Sequence, residues 1–210
     1  MYAIHTTPGF VIESRPSGEA GKLLSIFTRD LGLVWAIAQG IRLEKSKLRY
    51  HSQEHSFGEF SFVRGKEFWR LTSAAELNDG DQGERCVDTV HKSDQKVVTL
   101  IRGQELVGRI ALLVRRLLQG EEAHPELFTE IESAAQFARA HDSLSVEQFQ
   151  TLESLIVFRI LKLLGYIGTD KEIDATFAGA PITIELLDAA RAQRKMLNMH
   201  INKALKESHL

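Results

Sequence analysis

The sequence predicts a two-domain α+β protein: a small five-stranded β module over residues 1–78, followed by an all-α helical bundle over residues 79–210. Two observations point to this. Up to about Ala75 the chain consists of short runs rich in β-branched and aromatic residues, broken by Gly or Ser-Gly turns. Beyond residue 92, apolar residues recur every three or four positions, the helical period. Charge changes in step: residues 1–75 hold ten Lys and Arg against seven Asp and Glu, a balance of +3, while the remainder carries −5. A basic module beside an acidic one fits a nucleic-acid binder joined to a protein-contact domain.

The expected strands are "FVIESR", "KLLSIFTR", "LVWAIAQ", "SFGEFSFVR" and "EFWRLTSA", closely spaced as in a small barrel or sandwich. Residues 57 to 64 read as buried on both sides, as where a barrel packs on a neighbour, and Gly65 and Lys66 suit a tight hairpin. The acidic, glycine-containing run "ELNDGDQGERCVDTVHK", residues 76 to 92, reads as a linker. A first helix follows, with Val97, Leu100, Ile101, Val107, Ile110, Leu113, Val114, Leu117 and Leu118 on its apolar face and a stop at Gly120. Pro125 suits the first turn of a second helix. Ser145 and Gln148 form a capping box opening a third, whose apolar face runs from Phe149 to Leu164. A last helix is expected to run unbroken from near Thr183 to the C-terminus, with Leu186, Ala190, Leu197, Ile201 and Leu205 inward.

No standard catalytic set is present: no phosphate-binding Gly-rich loop with Lys-Ser/Thr, no dinucleotide fingerprint, no His-Glu-x-x-His, no Gly-x-Ser-x-Gly. Cys86 is the single cysteine, which excludes an internal disulfide and a cysteine-based zinc cluster, and it has no evident His partner. His51 and His55 have metal-like spacing but only Glu54 beside them, so surface histidines are expected there. The chain therefore reads as a binding protein without catalytic residues, metal or cofactor. With no apolar run long enough for a membrane span and no basic-then-apolar leader at the N-terminus, a cytoplasmic location is expected.

The strongest binding signal is "IRLEKSKLRY", residues 41 to 50, where Arg42, Lys45, Lys47 and Arg49 face one acid, Glu44. Such a loop neutralises several phosphates at once. It follows the third strand of a five-strand module, where barrels of the oligonucleotide-binding (OB) kind carry ligand loops. Arg15, Lys22 and Arg29 extend the cationic set. Single-strand binding also needs aromatics for base stacking. Among Trp35, Tyr50, Phe57, Phe60, Phe62, Phe68 and Trp69, most suit a barrel core, and Tyr50 is expected to be exposed.

The stretch "SRPSGEAGKLLSIFTRDLGLVWAIAQGIRLEKSKLR" resembles the N-terminal signature of the RecO recombination-mediator family: a Ser-Arg-Pro and Gly-Glu turn, a Leu-Leu-x-x-Phe-Thr strand, an Ala-x-x-Gly-x-Arg element and a Lys-Ser-x-Leu basic loop. "FRILKLLGYIG" and "MLNMHINKALKESHL" resemble later helices of that family. The resemblance implies an N-terminal OB-fold barrel and a C-terminal helical domain. It implies binding of single- and double-stranded DNA, annealing of complementary strands, and work with RecR and single-stranded-DNA-binding protein to load the recombinase RecA at the nucleoid. Its basic barrel positions carry over here to Arg15, Lys22, Arg42, Lys45, Lys47 and Arg49. Many members hold a four-cysteine zinc module after the Leu-Gly-Tyr helix. Here residues 167–181, "IGTDKEIDATFAGAP", hold no cysteine and are expected to form a short connection without zinc.

A DNA mediator with an acidic helical half needs a local basic site for the acidic, hydrophobic-ended tail of the single-strand-binding protein. Arg109, Arg115 and Arg116 on the first long helix, with Arg159 and Lys162 on the third, are the candidates. The competing expectation is that these side chains pair with Glu121, Glu122 or Glu153. Two other readings fit the same residues: a protein-interaction adaptor whose barrel and bundle both hold proteins, and an RNA-binding OB-fold protein.

Overall fold

The computed structural model describes residues 3–77, 94–141 and 144–208. The linker reading from Asn78 onward, Cys86, the boundary expected at 78/79 and the side chains of Val97, Leu100 and Ile101 lie outside what is described. Two compact units make up the chain. One combines the N-terminal strands with Ala111–Phe128, the other combines the helical residues up to Ile110 with those from Thr129 onward.

In the first unit, five strands close into a barrel in the order β1-β2-β3-β5-β4: β1 (Ile4–Ser17), β2 (Gly21–Thr28), β3 (Gly32–Ala38), β4 (Phe57–Val63) and β5 (Trp69–Ala75). β3 and β5 pair in parallel and all other neighbours are antiparallel. Alternation puts Leu24, Ile26, Val34, Ala36, Phe60, Phe62, Trp69 and Leu71 inside. β4 alternates, with Gly58, Phe60 and Phe62 buried, while on its other face Phe57, Ser61 and Val63 are half-buried and Glu59 is exposed, so the expected two-sided burial of 57–64 is only partial. Outside the barrel, Phe10 stacks on Phe57 and meets Phe27 edge-on, and Phe128 contacts both Phe27 and Phe57. A second apolar layer thus covers one outer face. Gly32 has φ +69°, and a Cβ there would lie 2.1 Å from the Glu122 carbonyl oxygen, so only glycine admits the 118–122 segment this close.

A bulge in β1 between Val11 and Glu13 shifts the register and bends the strand. The chain entering β4 is fastened to this bulge: His55 N donates to Val11 O at 2.7 Å and Val11 N to Ser56 O at 3.0 Å. Between β3 and β4 lies the basic loop and a short helix, α1 (Leu48–His51). β4 and β5 are joined by residues 64–68, a five-residue connection that replaces the tight hairpin expected at Gly65 and Lys66.

The long helices are α2 (Asp94–Leu117), α3 (Pro125–Ala140) and α4 (Val146–Leu163), and α4 opens with the expected capping box on Ser145 and Gln148. α4 is the buried centre of the second unit. Phe149, Leu152, Leu155, Ile156, Phe158, Ile160 and Leu161 are all covered, well beyond one face. Two differences from the sequence reading concern its neighbours. Residues 167–181 are not a bare connection but hold α5 (Lys171–Phe177), capped by Asp170 and inserting Ile173 and Phe177. The last helix is two: α6 (Ile184–Ala192), capped by Thr183, and α7 (Arg194–Glu207), separated at Gln193, where φ −106° and ψ 13° leave the helical region. Their buried residues, Leu186, Leu187 and Ala190, then Leu197, Ile201 and Ala204, face α4.

Candidate nucleic-acid interface

The covered outer face of the barrel has an open counterpart. Cross-strand pairing places Arg15 beside Leu23, Leu23 beside Ile37, and Ile37 beside Arg70, a row across β1, β2, β3 and β5. All four belong to the outward set: the two arginines are exposed and the two apolar residues half-buried. Two residues back along β3, Trp35 is also half-buried on this face, with the Arg15 guanidinium 5.8 Å from its ring centroid. Trp35 is thus not the core residue its sequence context favours. An indole between cations on a sheet surface is what base stacking combined with phosphate neutralisation requires.

The basic loop follows β3, the strand that carries Trp35 and Ile37 on this face. Arg42, Lys45, Lys47 and Arg49 are all exposed, and Tyr50 is 71% exposed, as expected. Among the described residues, the side chains of Lys45, Lys47 and Arg49 make no hydrogen bond or ion pair, so their charges are available to a ligand. Arg42 is fixed to the β1–β2 turn: its backbone N donates to Ala20 O at 3.0 Å and its Nη1 to Glu19 O at 3.2 Å. Lys22 Nζ donates to Ser14 Oγ at 3.3 Å. Arg29 is turned to Asp30, whose carboxyl is held below its ordinary value chiefly by that hydrogen bond, and so lies apart from the set. Arg15 also pairs with Glu13 at 2.6 Å.

The sequence reading missed the connection between β4 and β5. Arg64, Lys66 and Arg70 cluster around a cleft there with Val63 and Gly65. Arg64 lies 4.7 Å over the Trp69 ring and pairs with Glu121, which also accepts from Trp69 Nε1 at 3.0 Å. Lys66 and Arg70 are exposed. The signal lay in "RGKEFWR", three cations in seven residues between two strands. In five-stranded Greek-key barrels the 1–2 and 4–5 loops flank the ligand face on strands 2 and 3.

The five side chains expected to form a tail-binding site serve different ends. Arg159 is buried in its helix neighbours: Nε donates to Phe177 O at 2.6 Å, Nη2 to Ala180 O at 2.6 Å and Nη1 to Glu130 at 2.5 Å. It is a structural strut, because every arm of the guanidinium is engaged inside the second unit. Lys162 is likewise engaged, by Asp174 and the Gly168 carbonyl, both at 2.7 Å. Arg115 pairs with Glu13 of the barrel at 2.9 Å. Arg116 is exposed. Arg109 pairs with Glu153 at 2.7 Å, as the competing expectation held, and lines a small cleft with Leu106, Val146 and Phe149.

Among the described residues no helix is long and apolar enough to cross a membrane, and no three His, Cys, Asp or Glu are grouped to hold a metal ion.

A closed five-stranded barrel, with one outer face covered and the other carrying an indole and flanking cations, defines an OB-type binding domain. Residues 1–78 match the family model described as recombination protein O N terminal. The same part of the chain is similar to proteins named DNA repair protein RecO: 37% identity over 75 residues with that of Rubrobacter xylanophilus, covering 36% of this chain and 30% of the relative. Identity is 35% over 68 residues with the Dehalococcoides mccartyi protein, covering 32% and 27%, and 36% over 77 residues with that of Acaryochloris marina, covering 37% and 26%. Over this barrel the chain is similar to the N-terminal part of RecO proteins. Its matched part spans less than a third of the length of these curated relatives.

Proposed function

We propose that this chain is a DNA-binding mediator of repair and recombination that acts without catalytic chemistry. The observation that carries the reading is the open barrel face, Trp35 and the row Arg15, Leu23, Ile37, Arg70, together with Lys45, Lys47 and Arg49 on the loop after β3, exposed cations without a side-chain partner among the described residues. Bases stack on such a surface while phosphates meet the rim, so single strands are the primary ligand and duplex is held by charge. The family supplies the rest of the proposal: annealing of complementary strands, and cooperation with RecR and single-stranded-DNA-binding protein in loading RecA, in the cytoplasm at the nucleoid. For the tail of the single-strand-binding protein, Arg109 with the apolar cleft of Leu106, Val146 and Phe149 is the favoured contact, Glu153 giving way to the tail's carboxylates.

The test is the affinity of the full chain for matched single-stranded DNA, duplex DNA and RNA across a salt series, with an annealing assay on complementary strands. A steep fall of log K with log salt and faster annealing are expected. A flat salt response would favour the protein adaptor, and a clear preference for RNA would favour the RNA-binding reading.

A further inference from the structure

In the barrel unit, a cleft of about 390 Å³ is lined by Lys22, Ile41, Arg42, Arg49, Ser52 and Gln53. Its volume lies within the range of small-molecule sites, about 300 to 1,000 Å³. Every charged residue on its wall is a cation. Glu54, the next residue in sequence, does not line it: its Oε1 accepts from Ser14 N at 2.9 Å and from Ser14 Oγ at 3.0 Å.

The donors are held ready. Arg42 is anchored by its bonds to Ala20 and Glu19, which leave most of its guanidinium N–H groups open. Lys22 is steered by Ser14, which occupies one of its three donors. The Arg49 side chain has none engaged among the described residues. Ser52 is 2% exposed, and its Oγ is buried without a hydrogen-bond partner. A buried hydroxyl is rarely left unpaired, so an orphan beside three cations marks a place where an acceptor belongs. Ser25 Oγ is also unpaired, but no cleft of cations surrounds it.

We infer that this cleft is a discrete phosphate-group site, gripping one phosphate through Lys22, Arg42 and Arg49, with the Ser52 hydroxyl turning to meet an oxygen. A tetrahedral oxyanion accepts from several directions at once, which matches a concave wall of fork and point donors better than a flat cationic surface does. The inference deepens the reading of the barrel as a nucleic-acid binder and rests on it for the source of the phosphate: a strand-terminal monoester or an internal diester.

The test begins with inorganic phosphate, which needs no nucleic acid. Phosphate added to the full chain at constant ionic strength should raise Tm above a chloride control. Arg49→Gln and Ser52→Ala should each weaken phosphate binding roughly ten- to hundredfold, while melting unchanged or higher in its absence. Equal phosphate and chloride curves, or variants that respond like the wild type, overturn the inference. The source follows from oligonucleotides with and without a terminal phosphate. Tighter binding of the phosphorylated strand, lost in Arg49→Gln, assigns the terminal group, and equal loss for both strands assigns an internal diester. If phosphate stabilises the chain but no oligonucleotide binds, the site stands and the nucleic-acid reading fails. If oligonucleotides bind and phosphate does nothing, the reverse holds.

Discussion

The Arg15 guanidinium lies 5.8 Å from the centroid of the Trp35 ring, on the barrel face left open to solvent. The pairing sets a cation over an aromatic platform. Trp35 and Trp69 are the chain's two tryptophans, and Trp69 is only 6% exposed inside the barrel. Fluorescence quenching on adding single-stranded DNA should therefore come from Trp35. Trp35→Ala should abolish the quenching and weaken single-strand binding by about 1 to 3 kcal/mol, with circular dichroism unchanged. Full quenching in that variant would refute stacking at this face.

Lys45 and Lys47 are exposed, with no side-chain partner among the described residues, so their replacement tests charge without touching packing. The double variant Lys45→Glu, Lys47→Glu should melt like the wild type and bind single strands more weakly. The slope of log K against log salt should flatten by roughly 1.4, about 0.7 for each phosphate no longer neutralised. Equal slopes would make the loop a solvated surface.

What was legible in the sequence was local. The strand runs, the Pro125 start and the Ser145–Gln148 box depend on neighbouring residues, and each forms where expected, except that β1 starts at Ile4, six residues ahead of the expected run. Which side of a strand faces inward is not local, because a one-residue slip exchanges the faces and the β1 bulge introduces such a shift. Trp35, one of seven aromatics of which most suit the core, stands on the outer face because Val34 and Ala36 are the inward pair of β3. Arg159 read as surface because its partners lie 18 to 29 residues away and no motif announces them. Asp170 with Ile173 and Phe177 was a readable helix signal for α5, a cap followed by a four-residue apolar spacing. Nothing like it marks Gln193, since neither Gly nor Pro stands at the break.

Two glycines with positive φ separate backbone strain from close approach. Gly18 has φ +64° with nothing within 4 Å of an added Cβ, whereas at Gly32 the Glu122 backbone fills that space. Gly18→Ala should cost only the left-handed penalty, about 1 to 2 kcal/mol. Gly32→Ala should cost more than roughly 3 kcal/mol or prevent folding, because backbone must move as well. Denaturant titration of both variants checks the order, and equal losses would contradict the close packing.

Asp174 gives the second unit an acid-sensitive joint. Lys162 donates to its carboxylate, with Asp170 N adding a bond at 3.0 Å, and these hold its pKa below the ordinary 3.8. A carboxylate depressed on folding contributes stability that is present above its unfolded pKa and is lost as pH falls through the folded value. Asp174→Asn should therefore cost roughly 1 to 2 kcal/mol at pH 7. The gap to the wild type should begin to close below about pH 4. A gap independent of pH would show that the charge on Asp174 contributes nothing.

Arg159 carries the last prediction, because its burial decides between a structural and a recognition role. At 2% exposure its guanidinium joins α4 to the carbonyls of Phe177 and Ala180 and to Glu130. Truncation to Ala would leave two carbonyl oxygens and a largely buried carboxylate without partners, a loss of about 3 to 5 kcal/mol. Lysine should not rescue it, since one ammonium on a flexible stem cannot reach three acceptors held by a planar fork. Methionine fills similar volume without the charge, so Arg159→Met combined with Glu130→Gln should recover part of the stability. Chemical denaturation of these variants reads the differences directly. If Arg159→Ala instead keeps the wild-type midpoint and loses binding of an acidic, hydrophobic-ended peptide, the residue is a recognition group and the strut assignment is wrong.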